Sequence, residues 1–307
     1  YMSIDKLAVF GDSFSFGSEL YQDVMGREQV IEHLQRHAKT KLRINANDSI
    51  DKSDVSRILY EEWYNIESDK ESFCHARSFG GHISNHFNIE YDNYSFPGYS
   101  IEAIYSEILI ALRHNKINDS SFVIVGLTYP GRTIKYNTNK CGTRYCTEVN
   151  STNVSIDSEH EKYMMLNFKY GSDFMSEFVK MHGYINSIKN ILEQHHIKFM
   201  IVDPVSVFLS HYSEQGKYVN DAVREFVHGI EPAGDHNHIY REELIDQIQI
   251  DMKSIIFAKT MRDVEQDLLH LKEPSRALLG HFNSKAHALY ATDYLIPHIE
   301  ETILCRH

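Results

Sequence analysis

Ser13 closes the run Leu7-Ala8-Val9-Phe10-Gly11-Asp12-Ser13, in which four apolar residues lead into a small-residue turn. Such a run reads as a buried parallel strand feeding a loop and then a helix. A serine at that point is a candidate nucleophile, because sites in open α/β sheets form at the carboxyl ends of the strands. A hydroxyl needs a base. The candidate is His281 in Gly280-His281-Phe282-Asn283-Ser284-Lys285-Ala286-His287, a loop directly ahead of the last helical stretch. Two further segments end strands in glycine. In Asn93-Tyr94-Ser95-Phe96-Pro97-Gly98-Tyr99-Ser100 the backbone N–H of Gly98 can approach a ligand closely, and in Phe122-Val123-Ile124-Val125-Gly126-Leu127-Thr128 a hydroxyl follows two residues after the glycine. Donors gathered at adjacent strand ends stabilise the charge that develops when an acyl carbonyl is attacked, each worth a few kcal/mol. The same letters also fit ordinary strand-to-helix turns with N-cap serines, and His281 is one of 19 histidines.

The elements that must position these residues are strand-like segments separated by helix-period stretches, the pattern of a parallel sheet with helices on both faces. The strands are expected at Leu7 to Phe10, Glu90 to Ser95, Phe122 to Gly126 and Lys198 to Asp203. Phe79 to Phe87 reads as a helix leading into the second strand. Ile101, Ile104, Tyr105, Ile108 and Leu112 recur at helical spacing, as do Phe174, Phe178, Met181, Ile185, Ile188 and Leu192, so both helices should cover the sheet. Tyr240 to Leu271 is helical in pattern, and Ala286 to Ile303 reads as a final helix interrupted near Pro297. Residues 19–78 and 131–170 read as insertions in a single domain over residues 1–307, and the Thr-, Asn- and Tyr-rich stretch over 133–153 reads as a hairpin or a lid.

The 307 residues are 42% hydrophobic, enough for a sizeable core, and carry a formal charge of −12. Such a charge argues against general nucleic-acid binding, which needs clustered Lys and Arg. No apolar run of membrane-spanning length and no signal-peptide layout occurs, so a cytoplasmic protein is expected. Four cysteines are too few for a disulfide scaffold. Cys141 and Cys146 are spaced as a tight-loop pair or half a metal site, but no second pair supports zinc and no metal is expected.

Taken in order, the four glycine- and histidine-bearing segments resemble the blocks of SGNH, or GDSL-type, hydrolases. The resemblance implies a three-layer α/β/α sandwich with a central, mostly parallel, flavodoxin-like sheet. It implies that Ser13 is the nucleophile, that the N–H groups of Ser13 and Gly98 form the oxyanion hole, and that His281 is the base. Thr128 stands where the family has an asparagine oxyanion donor, and Ala286 replaces the family's glycine before the last histidine. The family's acid, three residues before its histidine, is here Leu278. Asp235 or Glu273 could supply the missing carboxylate, and Asp235-His236-Asn237-His238 offers His238 as an alternative base. The implied chemistry is hydrolysis of a small-molecule or carbohydrate ester, such as an O-acetyl group, without a cofactor. The same acyl-enzyme could pass its acyl group to an alcohol or amine, making an acyltransferase. A protein that keeps the fold for binding or structure, having lost the chemistry, is the alternative that Leu278 and Thr128 favour. Long insertions give a weak resemblance to bacteriophage SGNH-type proteins as well.

Overall fold

The computed structural model describes residues 4–18, 20, 71–96, 98–128, 174–204, 247–248, 250–252, 254–276 and 281–301, with the backbone alone at Ser13 and over 174–178. In chain order the elements are β1 (Lys6–Phe10), α1 (Ser13–Phe16), α2 (Glu71–Arg77), α3 (Phe79–Phe87), β2 (Glu90–Asn93), α4 (Ile101–Arg113), β3 (Ser121–Gly126), α5 (Phe174–Gln194), β4 (Lys198–Val202), β5 (Ile256–Phe257), α6 (Met261–His270), α7 (Ser284–Leu289), a π-helical segment (Tyr290–Leu295) and α8 (Ile296–Ile299). The chain divides into two compact units, one of residues 1–15 and 88–263, the other of residues 16–87 and 264–307.

The first unit is built on a five-stranded sheet in the order β2-β1-β3-β4-β5 with every pairing parallel. This is the doubly wound, flavodoxin-like order, whose switch point lies between β1 and β3. Four apolar residues in a row make β1 because both faces of a parallel sheet are buried, and Leu7, Ala8, Val9 and Phe10 are all fully buried. Ala8, Phe10, Val123, Val125 and Ile201 face the apolar stripes of α4 (Ile101, Ile104, Ile108) and α5 (Met181, Ile185, Ile188, Leu192). The two amphipathic helices therefore cover the sheet as their periodicity predicts. Leu7, Val9, Phe122 and Ile124, on the opposite face, are buried as well. Edge strand β2 is more polar, and Lys6 of β1 neutralises its two carboxylates, at 2.5 Å from Asp92 and 3.4 Å from Glu90.

One segment is corrected. The tract Tyr240 to Leu271, expected to be helical, contains the fifth strand at Ile256–Phe257 and only then α6. Two residues are too few to imprint a period of two, and helical stretches flank them on both sides.

In the second unit, α2 and α3 pack with the C-terminal helix. That helix starts at Ser284, two residues earlier than expected, because Asn283 caps it. The interruption expected near Pro297 takes the form of the π segment Tyr290–Leu295 just before it, in which Ile296 N–H bonds the carbonyl of Ala291. Proline lacks an N–H and crowds the carbonyl four residues back, and one wide turn relieves both.

Candidate functional site

The turn after β1 is held by a buried carboxylate. Asp12 is fully buried, and its Oδ1 accepts the backbone N–H of Phe14 at 3.0 Å, the N-cap interaction that starts α1 at Ser13. Its Oδ2 accepts the hydroxyl of Thr128 at 3.1 Å. Register places the two residues side by side, since Phe10 pairs with Val125 and each strand then runs on into its turn. The Asp of Gly-Asp-Ser is thus the cap of the first helical turn, clamped from the end of the neighbouring strand.

Ser15 occupies the gap between the two strand ends. A Cβ on Gly126 or Gly11 would collide with the Ser15 hydroxyl, so both glycines are demanded by the close approach of α1 to the sheet. The Ser15 hydroxyl is buried without a hydrogen-bond partner among the described residues. Asn93, at the end of β2, donates to the carbonyl of Ser15 at 3.2 Å and accepts the N–H of Ser95 at 3.0 Å, while Phe96 N–H reaches the Gly11 carbonyl at 3.1 Å. Tyr99 N–H bonds the Phe96 carbonyl at 3.1 Å beyond β2, with Gly98 at φ +83°, a left-handed conformation that favours glycine. Ser100 then caps α4 by accepting the N–H of Ala103. The candidates Ser13, Gly98 and Thr128 thus follow three adjacent strands, β1, β2 and β3, all at their carboxyl ends.

His281 and Glu273 belong to the second unit. His281 is half-buried and its loop is fastened on both sides. Phe282 forms an isolated antiparallel bridge with Arg276, whose guanidinium lies 3.7 Å from the Phe282 ring centre and binds Glu265 through both Nε (2.6 Å) and Nη2 (2.7 Å). Asn283 accepts the N–H of Ala286 at 2.9 Å and donates to the Pro274 carbonyl at 2.7 Å, tying the helix start to the strand-like segment before it. Glu273, one of the two acid candidates, is ion-paired with Lys285. Asp235, His238, Leu278 and the pair Cys141 and Cys146 lie outside the described residues, as do residues 131–170.

Sequence reasoning missed the role of His287. This residue is buried and its Nδ1 accepts the N–H of Phe79 at 3.2 Å, so the ring carries its proton on Nε2. Burial, and then the neighbouring His82 and His281, push its pKa down to about 3. His82 is lowered by burial and by the Arg77 charge, against a hydrogen bond to the Arg77 carbonyl. The spacing that places His287 one turn after its cap, Asn283-Ser284-Lys285-Ala286-His287, was the available signal, since a residue in the first turn of a capped helix can face inward. No group of three or more metal-binding side chains occurs among the described residues, and no described helix is long and apolar enough to cross a membrane.

No protein-family model matches the chain, and no curated protein matches it. Among solved structures, it is similar to a carbohydrate esterase whose active site displays divergent catalytic and non-catalytic binding functions, at 11% identity and a TM-score of 0.39. It is also similar to a member of the lipolytic G-D-S-L family from Veillonella parvula, at 10% identity over 98% of each chain and a TM-score of 0.40. A third is the acetyl xylan esterase Est2A from Butyrivibrio proteoclasticus, at 12% identity and a TM-score of 0.39. The chain spans 66% of the length of the first and 64% of the length of the third, under two thirds of either.

Proposed function

We propose that the protein is a divergent serine esterase of the SGNH type, acting on an O-acyl ester of a sugar or small molecule. In this reading the Ser13 hydroxyl attacks the ester carbonyl while His281 takes its proton. The backbone N–H groups of Ser13 and Gly98 hold the oxyanion, and His281 returns the proton to the departing alcohol. Water then cleaves the acyl-enzyme by the same route; an alcohol in its place would make the protein an acyltransferase. The observation that carries the reading is the capped turn Gly11-Asp12-Ser13 at the switch point of the sheet, with Ser13 at the first position of α1. A backbone N–H there has no partner within the helix and is available to an anion.

The second reading is a binding protein on the same fold, favoured by Leu278 in the acid's place and by the engagement of Glu273 with Lys285. An imidazole without an orienting carboxylate loses much of a triad's benefit. A fluorophosphonate probe with mass-spectrometric mapping decides between them. Labelling at Ser13 that disappears in Ser13→Ala and falls sharply in His281→Ala is the expected outcome. Folded protein that takes up no label refutes the esterase reading and leaves the binding protein.

A further inference from the structure

We propose that Thr128 is a positioning residue that acts through Asp12 on the turn carrying Ser13, and that its side chain makes no contact with the oxyanion. This rests on the esterase reading above. A threonine hydroxyl has one proton, and here it is directed at Asp12 Oδ2, 3.1 Å away, with both residues fully buried. Toward an oxyanion the same oxygen would present only lone pairs, a repulsive contact. The other oxygen of the carboxylate holds the Phe14 N–H at 3.0 Å, so a single carboxylate links the end of β3 to the first turn of α1.

Thr128 is itself well fixed. Leu127 N–H continues the ladder beyond β3 by bonding the Val202 carbonyl at 2.9 Å, so the residue before Thr128 is locked to β4. A β-branched side chain on a backbone so restrained keeps its χ1, and the hydroxyl stays aimed at Asp12. The replacement of a long amide by a short hydroxyl at this place thus changes the task of the position, from holding charge in the reaction to holding the cap that orients the nucleophile. Oxyanion stabilisation then falls to backbone N–H groups alone.

The test compares Thr128→Ser, Thr128→Val, Asp12→Ala and Asp12→Asn with the combinations Thr128→Val/Asp12→Ala and Thr128→Val/Asp12→Asn, each checked for cooperative thermal unfolding. The rate of fluorophosphonate labelling at Ser13, kcat and KM for a chromogenic ester, and hydrogen exchange over residues 12–17 are read for each. Thr128→Val should slow labelling and lower kcat by about ten- to a hundredfold through a misplaced nucleophile, leave KM unchanged, and speed exchange over 12–17; Thr128→Ser should restore all of these. In the Asp12 backgrounds the Thr128→Val change should add nothing further. Slower labelling with unchanged exchange, or effects of Thr128→Val and the Asp12 changes that multiply independently, would make Thr128 a direct oxyanion contact and overturn the proposal. If the wild-type protein takes up no label, it is the esterase reading that fails. Exchange over 12–17 then decides the clamp alone: faster in Thr128→Val and normal in Thr128→Ser upholds it, and no change overturns it.

Discussion

Acidification should weaken this protein well before its carboxylates begin to protonate, because the second unit buries neutral imidazoles. The pKa of His287 falls to about 3 and that of His75 to about 4, in both cases chiefly through burial. Glu71, 3.9 Å from His75 Nε2, is too distant and too exposed to offset the cost of charging that ring. Each ring titrates near 6.5 in the unfolded chain, so between pH 7.5 and pH 5 the unfolded state takes up protons that the folded state refuses. The stabilisation is complete above about pH 7 and is lost as pH falls through 6.5 toward the folded values. At pH 5 the unfolded imidazole gains a factor of about 30 in protonation, worth roughly 2 kcal/mol for each ring, or about 4 kcal/mol for the pair. His82 and His298, both lowered mainly by burial, act in the same direction. Glu107 acts in the opposite one, since burial raises its carboxyl and favours the folded state in acid. Asp92 enters only later: burial pushes its carboxyl up, the hydrogen bonds from Lys6 and Tyr94 pull it further down, and its contribution is lost only below its ordinary 3.8. Against a usual domain stability of about 5–15 kcal/mol, a loss of about 4 kcal/mol is large. Urea unfolding followed by far-ultraviolet circular dichroism should show the midpoint falling by about 2 M between pH 7.5 and pH 5, for a slope of about 2 kcal/mol per M. In a His75→Gln/His287→Gln variant the midpoint should be lower at pH 7.5 and should fall much less across the same range, with His82 and His298 supplying the remaining fall. A wild-type midpoint that does not move, or a fall that persists undiminished in the double variant, would refute the reasoning.

Two further outcomes follow from packing and capping. Gly126→Ala should destabilise by about 1–3 kcal/mol by overpacking, and Ser15→Ala should largely rescue it, because the clash with the Ser15 hydroxyl goes and the contacts left are the Ser15 Cβ at 3.2 Å and the Phe10 carbonyl oxygen at 3.6 Å. The same Ser15→Ala change should fail to rescue Gly11→Ala, whose Cβ would still lie 2.5 Å from the Ser15 Cβ; thermal midpoints of the four variants check both. Asn283→Ala removes the cap of α7 and the tie to Pro274. It should lower stability by about 1–2 kcal/mol, read as a drop of a few degrees in Tm.

The central strands and the two covering helices were legible because burial writes directly into the sequence there. Residues 7–10 of β1 and 122–126 of β3 carry no polar side chain since both faces of the sheet are dry there, and Ile101–Arg113 carries its stripe at helical spacing. The strand Ile256–Phe257 left no such trace because it is only two residues long. At the candidate site, the turn positions of Ser13 and Gly98 were readable from local chemistry. The clamp between Asp12 and Thr128 was not: its partners lie 116 residues apart, and no local spacing announces a contact that the sheet order creates. The same holds for His287 and Phe79, brought together across 208 residues.

The fit of Ser15 between Gly11 and Gly126 changes what the motif letters signify. Gly11 and Gly126 make room for a side chain, and Asp12 caps a helix and receives Thr128; all three would serve the packing of the chain even if it catalysed nothing. A chain of this fold with no catalytic role could change Ser13 freely and still display both glycines and the aspartate. In Gly11-Asp12-Ser13, the serine alone is the letter on which the proposed chemistry rests, and its two companions testify to architecture.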